Sequence, residues 1–218
     1  MPANTPERIR SLIETIKATY VRRQLVDDAV GHELRKVVSL LEPLPPLTGN
    51  FSRNTHAVTR HIRAALQSAN DSTAPLLDAI APVINFLPWR YSYPPRNDNP
   101  TLGQNIAFAE IIGPEAPFHS ETVCLGLTLI GPKTLYPGHH HPAIELYHVV
   151  SGTATWTLEW TLRDNPPGSF ILHPTQAIHA MRTHDAPLLA IYTWSGADVR
   201  TTSAYTQTSR FDTVERKP

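Results

Sequence analysis

Apolar residues recur at spacings of three and four along the first 88 positions, and in short alternating or unbroken runs beyond them. The first pattern is that of helices and the second that of strands. Between Pro6 and Arg23 the stripe Ile9, Leu12, Ile13, Ile16 and Tyr20 predicts an amphipathic helix. Thr5 followed by Pro6 marks its start, because proline at the first helical position gives up an N–H that has no partner there anyway. Further helices are expected over about 27–41, 54–67 and 74–86, the second ended by "EPLPPLTGN" and the last by Pro88. Residues 89–105, "WRYSYPPRNDNPTLGQN", read as a turn-rich connector without regular elements.

Past the connector the segments "IAFAEII", "ETVCLGLTLI", "IELYHVVSG", "TATWTLEW", "SFILH" and "LLAIYTW" are short, rich in β-branched and aromatic residues, and separated by Gly, Pro and Asp. They predict an antiparallel sandwich or small barrel. The apolar stripes of the helices need a surface to cover, and the barrel is the nearest one. The expected organisation is therefore a mainly β fold with a helical N-terminal extension over 1–88, a connector over 89–104, a β-barrel over 105–198 and a tail over 199–218.

Composition changes this picture little. Nineteen basic and nineteen acidic residues cancel, so nothing argues for a nucleic-acid or anionic-membrane partner. The single cysteine, Cys124, rules out an internal disulfide framework and a multi-thiolate zinc site, and its apolar run places it in the core. The N-terminal segment carries charges throughout and no apolar signal core, and no run is long enough to span a membrane, so a cytoplasmic protein is expected.

The candidate chemistry lies in "LYPGHHHPAIELYHVVSG", residues 135–152. In an extended chain alternate side chains share a face, which groups His139, His141, Glu145 and Tyr147 and turns His140 and His148 away. Two imidazoles and a carboxylate suit a divalent transition metal such as Zn, Fe or Mn. A fourth ligand is expected from "PPGSFILHPTQAIH", where His179 opens a strand and is preferred to His173, which precedes a proline. Trp156 and Trp160 share a strand face and read as packing, and His184 as structural.

The run His139-x-His141-x3-Glu145-x6-Gly152, followed by "PPGSFILHPTQAIH", resembles the two motifs of the cupin superfamily over about residues 105–198. One departure is Lys133, which stands where the motif usually has glycine. With Tyr136, Tyr147 and Trp194 around the motif and a helical extension before it, the chain is similar to the cupin dimethylsulfoniopropionate (DMSP) lyases of the DddQ type. That resemblance implies a single cupin double-stranded β-helix covered by helices. It also implies metal-dependent cleavage of DMSP to acrylate and dimethyl sulfide, with His139, His141, Glu145 and His179 as ligands. Tyr147 would be the base, Tyr136 a second catalytic or substrate-contacting tyrosine, and Trp194 part of the pocket.

This chemistry suits the residues. β-Elimination needs a base near the α carbon, and a neighbouring cation lowers a phenol toward usefulness as one. Aromatic faces attract a sulfonium, which Trp194, with Tyr192 or Tyr136, would provide. Monomer and homodimer are both compatible with the sequence. The competing readings are another cupin metalloenzyme, a sugar isomerase or iron-dependent dioxygenase, and a non-catalytic cupin that binds a small ligand.

Overall fold

The computed structural model describes residues 4–53, 55–67, 70–158 and 161–206. Helix α1 is Thr5–Arg23 and α2 is Ala29–Leu40, where the Asp28 carboxylate accepts the Gly31 N–H at 2.7 Å as an N-cap. A 3-10 turn, Ala57–His61, runs into the short α3, Ile62–Ala65. Helix α4, Ala74–Ile80, stops earlier than its apolar pattern predicts. Pro82 lacks the N–H that would continue the helix, and the chain carries on as a 3-10 turn over Ile84–Phe86.

The strands are β1 Trp89–Arg90, β2 Ile106–Gly113, β3 Phe118–His119, β4 Val123–Ile130, β5 Leu135–His140, β6 Ile144–Ser151, β7 Ala154–Leu158, β8 Thr161–Asn165, β9 Phe170–His173, β10 His179–Thr183, β11 Leu188–Ser195 and β12 Ala204–Tyr205. One sheet runs β1-β2-β4-β11-β6-β9, with β3 beside β2, and the other runs β12-β5-β10-β7-β8. Apart from the parallel contact of β3 with β2, the pairing is antiparallel.

Besides the early end of α4 and the reduction of the helix expected over 54–67 to a 3-10 turn and α3, two features differ from the sequence expectation. Residues 89–105 are not wholly irregular: β1 pairs with β2, and Leu102–Asn105 forms a helical turn, α5. Beyond residue 198, β12 pairs with β5 opposite His139 and His140, so this part of the chain joins the second sheet. Trp160 and positions 207–218 fall outside the described residues.

The larger sheet is covered on both faces, and each face has its own chemistry. On one side Leu125, Leu127 and Leu129 of β4, Leu146 and Val150 of β6, and Leu189 and Ile191 of β11 join the stripe Ile9, Leu12, Ile13, Ile16 and Tyr20 of α1 in one core. Every member of that helical stripe is fully buried, each contributing roughly 1.5–3 kcal/mol from the apolar surface it removes from water. The opposite face carries Cys124, Tyr147, Val149, Ala190 and Tyr192, packed with Tyr136, Trp156 and Met181 from the second sheet. The helices thus shield the back of the sheet and leave its front to face the smaller sheet. No helix among the described residues is long and apolar enough to cross a membrane.

Lys133, in the position where the cupin motif favours glycine, has φ +53, and its N–H donates to the His184 carbonyl at 2.8 Å. A side chain is strained in that region, which is why glycine is the usual occupant. At the back of the sheet His148 stacks on Phe170 at 4.0 Å with Tyr20 beside it, and its Nδ1 has no hydrogen-bond partner.

Burial lowers the His148 pKa to about 4. An unfolded chain takes up that proton at about 6.5, so acid favours unfolding. The stabilisation is complete above pH 6.5 and is lost as the pH falls through 4, a difference of about 3 kcal/mol. Urea titrations across this range should therefore show His148→Leu with a shallower loss of stability in acid than the parent chain. Parallel curves would contradict the assignment.

Candidate metal centre

The chain crosses from one sheet to the other between β5 and β6, through His141, Pro142 and Ala143. Residues 139–148 are therefore not one continuous strand, as simple alternation along the segment would require. The odd-numbered side chains still converge, because the two sheets face each other at this point. His140 points elsewhere, its Nδ1 2.7 Å from Gln176 Oε1, and His148 lies on the helix side.

His139, His141, Glu145 and His179 are all buried, with potential ligand atoms within 4.8 Å of one another. Each comes from a different local context. His139 lies near the end of β5, opposite His179 at the start of β10. His141 occupies the crossing, and Glu145 lies on β6. The loop before β10 is pinned to the crossing: the Gln176 N–H donates to the His141 carbonyl at 2.9 Å, and the Thr175 hydroxyl donates to the Pro142 carbonyl. Gln176 takes φ +61 to make this contact, a strained conformation held in place beside the site.

The imidazoles are oriented by their backbone. His139 Nδ1 meets the Pro137 carbonyl at 2.8 Å, His141 Nδ1 the Ala143 carbonyl at 3.0 Å, and His179 Nδ1 the Ala177 carbonyl at 2.8 Å. A carbonyl only accepts, so in each ring Nδ1 carries a proton, and the neutral ring keeps its Nε2 lone pair to offer. A hydrogen bond of this kind to the remote nitrogen is the usual support of a metal-binding imidazole.

Glu145 is the centre of the cluster. Its Oε2 lies 3.2 Å from His141 Nε2, 3.2 Å from His173 Nδ1 and 3.0 Å from His179 Nε2. Its Oε1 accepts the Trp194 indole N–H at 2.8 Å. Burial alone would raise this carboxyl, but the charge of His141 and the hydrogen bonds of His141 and His173, with His179 close by, hold it well below the usual range. The same partnership raises His141 above its ordinary value against the cost of its own burial. His139, desolvated and next to His179, is driven the other way, well below its ordinary value.

These atoms fit a divalent cation. His179 Nε2 is close to Glu145 but badly aligned for a hydrogen bond, and has no other partner. Lone pairs and a carboxylate crowded into one buried volume repel unless positive charge lies among them. Three imidazoles and one carboxylate form a borderline donor set suited to Zn, Fe or Mn, at bonds of about 2.0–2.2 Å. His173 stacks on His179 at 3.9 Å and contacts Glu145, so it supports the set from behind.

A cavity of about 280 Å³ opens in front of this cluster. His139 and Glu145 line it, together with Tyr136, Tyr147, Tyr192 and Trp194. The predicted site residues are therefore brought together, and two acquire further contacts. Trp194 stacks on His141 at 4.3 Å as well as bonding Glu145, so it positions two of the candidate ligands besides facing the cavity. Tyr136 stacks on His139 at 4.0 Å. Burial pushes the Tyr147 phenol well above its ordinary value, and the charge and hydrogen bond of Glu145 add to the effect. Burial, followed by Tyr93, does the same to Tyr136.

Sequence reasoning missed Tyr93, Phe108 and Glu110, which also line the cavity. Phe108 and Glu110 alternate in "IAFAEII", and a carboxylate on one face of an otherwise apolar strand was a usable signal. Tyr93 gave none, since it sits among prolines in the connector, yet its hydroxyl donates to Ser203 Oγ at 3.0 Å and ties that segment to the chain beyond β11.

Two facing antiparallel sheets with three histidines and a glutamate between them make a candidate metal centre, in the fold that the cupin motif implies. A family model for dimethylsulfoniopropionate lyase matches residues 31–190, and the chain belongs to that family of carbon–sulfur lyases. It is 30% identical over 169 residues to the putative DMSP lyase DddL of Cereibacter sphaeroides, covering 77% of this chain and 71% of that one. It is 31% identical over 109 residues to the DMSP lyase DddQ of Ruegeria pomeroyi, covering 50% of this chain and 54% of the relative. The crystal structure of DddQ from R. pomeroyi shares the fold, with a TM-score of 0.76, 24% identity and coverage of 93% and 98%.

Metal binding to the folded state adds stability. Zinc at about a hundred times its dissociation constant should raise the Tm of chelator-treated protein by roughly 5–10 °C. His179→Ala should remove most of that shift, whereas His173→Ala should retain a reduced one. Equal losses in the two variants would contradict the division of roles between them.

Proposed function

We propose that the protein cleaves DMSP to acrylate and dimethyl sulfide by β-elimination. Family membership supports the substrate, and the observation that carries the mechanism is the placement of Tyr147. It stands two residues beyond Glu145 on the same face of β6 and lines the same cavity. His139, His141, Glu145 and His179 would hold the metal, with Trp194 and His173 fixing the direction of the Glu145 carboxylate. When bound, a divalent ion there supplies Lewis-acid stabilisation to the substrate carboxylate and positive charge beside the phenol.

Tyr147 is the base in this scheme. Its phenolate oxygen takes the proton from the α carbon, the C–H electrons form the Cα–Cβ double bond, and the Cβ–S bond breaks. The sulfur leaves with that electron pair as neutral dimethyl sulfide, and acrylate remains. Burial and then Glu145 disfavour the phenolate, so activation as a base calls for positive charge at the ligand set. Tyr136, stacked on a ligand histidine and facing Tyr147 across the cavity, contacts the substrate and confines it. The aromatic rings of Tyr192 and Trp194 supply faces for the sulfonium, worth roughly 0.5–2 kcal/mol per contact.

Purified protein supplied with a divalent metal and DMSP should release dimethyl sulfide, measured by headspace gas chromatography. Tyr147→Phe should bind the same amount of metal and lose about 10²–10⁴-fold in rate, the usual contribution of a general base. No dimethyl sulfide with zinc, iron or manganese would sink the lyase reading. Unchanged turnover in Tyr147→Phe would remove the base from Tyr147 alone.

A further inference from the structure

Beyond Tyr147 the cavity-facing side of the larger sheet continues across four strands. The pairing register puts Tyr147 opposite Tyr192, Tyr192 opposite Gly126, and Gly126 opposite Glu110. Residues in one such row point to the same face of a sheet, and Tyr147, Tyr192 and Glu110 all line the cavity. Gly126 is the gap in the row. A Cβ there would come within 2.6 Å of the Tyr192 ring, so the missing side chain lets that ring lie over β4, between the base and Glu110. Phe108, two residues before Glu110 on the same strand face, packs edge-on to Tyr192 with ring centres 6.2 Å apart. The row runs from the candidate ligand set through aromatic rings to a carboxylate.

Glu110 has few contacts with its neighbours, one of them a long ion pair. Its Oε1 accepts the Glu115 backbone N–H at 3.2 Å. Its Oε2 faces Arg90 across 3.7 Å, too long for a hydrogen bond. The other guanidinium at the mouth, Arg200, is engaged by Glu121 and by Glu115. Counting guanidiniums and carboxylates in this group, three negative charges meet two positive ones.

We propose that Glu110 recognises the cationic end of a zwitterionic substrate, taking a methylated sulfonium or ammonium group with the rings of Tyr192 and Phe108 while the substrate carboxylate lies at the metal ligands. The inference rests on the lyase reading for the substrate's orientation and adds to it the residue that selects for charge. Aromatic walls prefer a cation to a neutral branched alkyl group of the same shape by only roughly 0.5–2 kcal/mol per contact. A carboxylate in a poorly hydrated wall discriminates between the two through its charge. The contact with the Glu115 N–H gives Glu110 a structural role as well, and a glutamine carbonyl can keep that contact.

The test compares two probes on zinc-loaded protein by calorimetry. One is 3-(trimethylammonio)propanoate, whose distal group is cationic, and the other is 4,4-dimethylpentanoate, its isostere whose distal group is neutral because carbon replaces nitrogen. The parent chain should prefer the cationic probe. Glu110→Gln should weaken it about tenfold and leave the neutral probe within about twofold, while Arg90→Gln should tighten the cationic probe roughly threefold. Equal weakening of both probes in Glu110→Gln would assign the residue a structural role and overturn the proposal, as would no change in either. The two readings fail separately. A cation preference that depends on Glu110, without release of dimethyl sulfide from DMSP, would retain this inference and sink the lyase reading. Release of dimethyl sulfide with the same KM in the parent and Glu110→Gln would do the reverse.

Discussion

A buried negative charge organises this protein. The Glu145 carboxylate lies almost out of solvent, where an ionised group without partners costs several kcal/mol. Its oxygens are met by nitrogens of His141, His173, His179 and Trp194, which come from a crossing, two strands and a loop-strand boundary. No one segment provides them. They converge only when both sheets are formed and face each other, so folding and assembly of the site are one event. The same geometry makes the cluster a candidate site for a cation, because it gathers three oriented imidazoles and one carboxylate.

The helices make that concentration of polar groups tolerable. A sheet whose front carries histidines, tyrosines and carboxylates needs its apolar burial elsewhere, and the stripe of α1 provides it on the back. The two faces are also connected. Glu33 of α2 hydrogen-bonds Ser195 at the end of β11, next to Trp194, whose indole holds Glu145. A chain of adjacent contacts thus runs from the helical cover to Glu145, and the helical segment is part of what fixes the candidate centre.

Much of this was legible in the chain. The α1 stripe was readable because five apolar residues at helical spacing admit one buried face, and all five are buried. The clustering of His139, His141, Glu145 and His179 was readable from the motif spacing and from alternation, although the side chains converge across a crossing and not along one strand, since β5 and β6 belong to separate sheets. Less legible was whatever depends on contacts distant in sequence. His173 looked like a turn residue because proline follows it, yet its place in the row opposite Glu145 brings it into the cluster. Trp194 looked like a wall residue, and only the register of β11 against β6 puts its indole on the carboxylate. Tyr93 and the pairing of β12 with β5 fall in stretches with no periodic pattern.

The central claim is that His139, His141, Glu145 and His179 hold one divalent ion. Anomalous diffraction from crystals of the metal-loaded protein, collected at the absorption edge of that metal, tests it most directly. A single strong peak at about 2.0–2.2 Å from the Nε2 atoms of the three histidines and from a Glu145 oxygen is the predicted result. A peak bonded to His173 in place of His179, or metal bound away from Glu145, would contradict it.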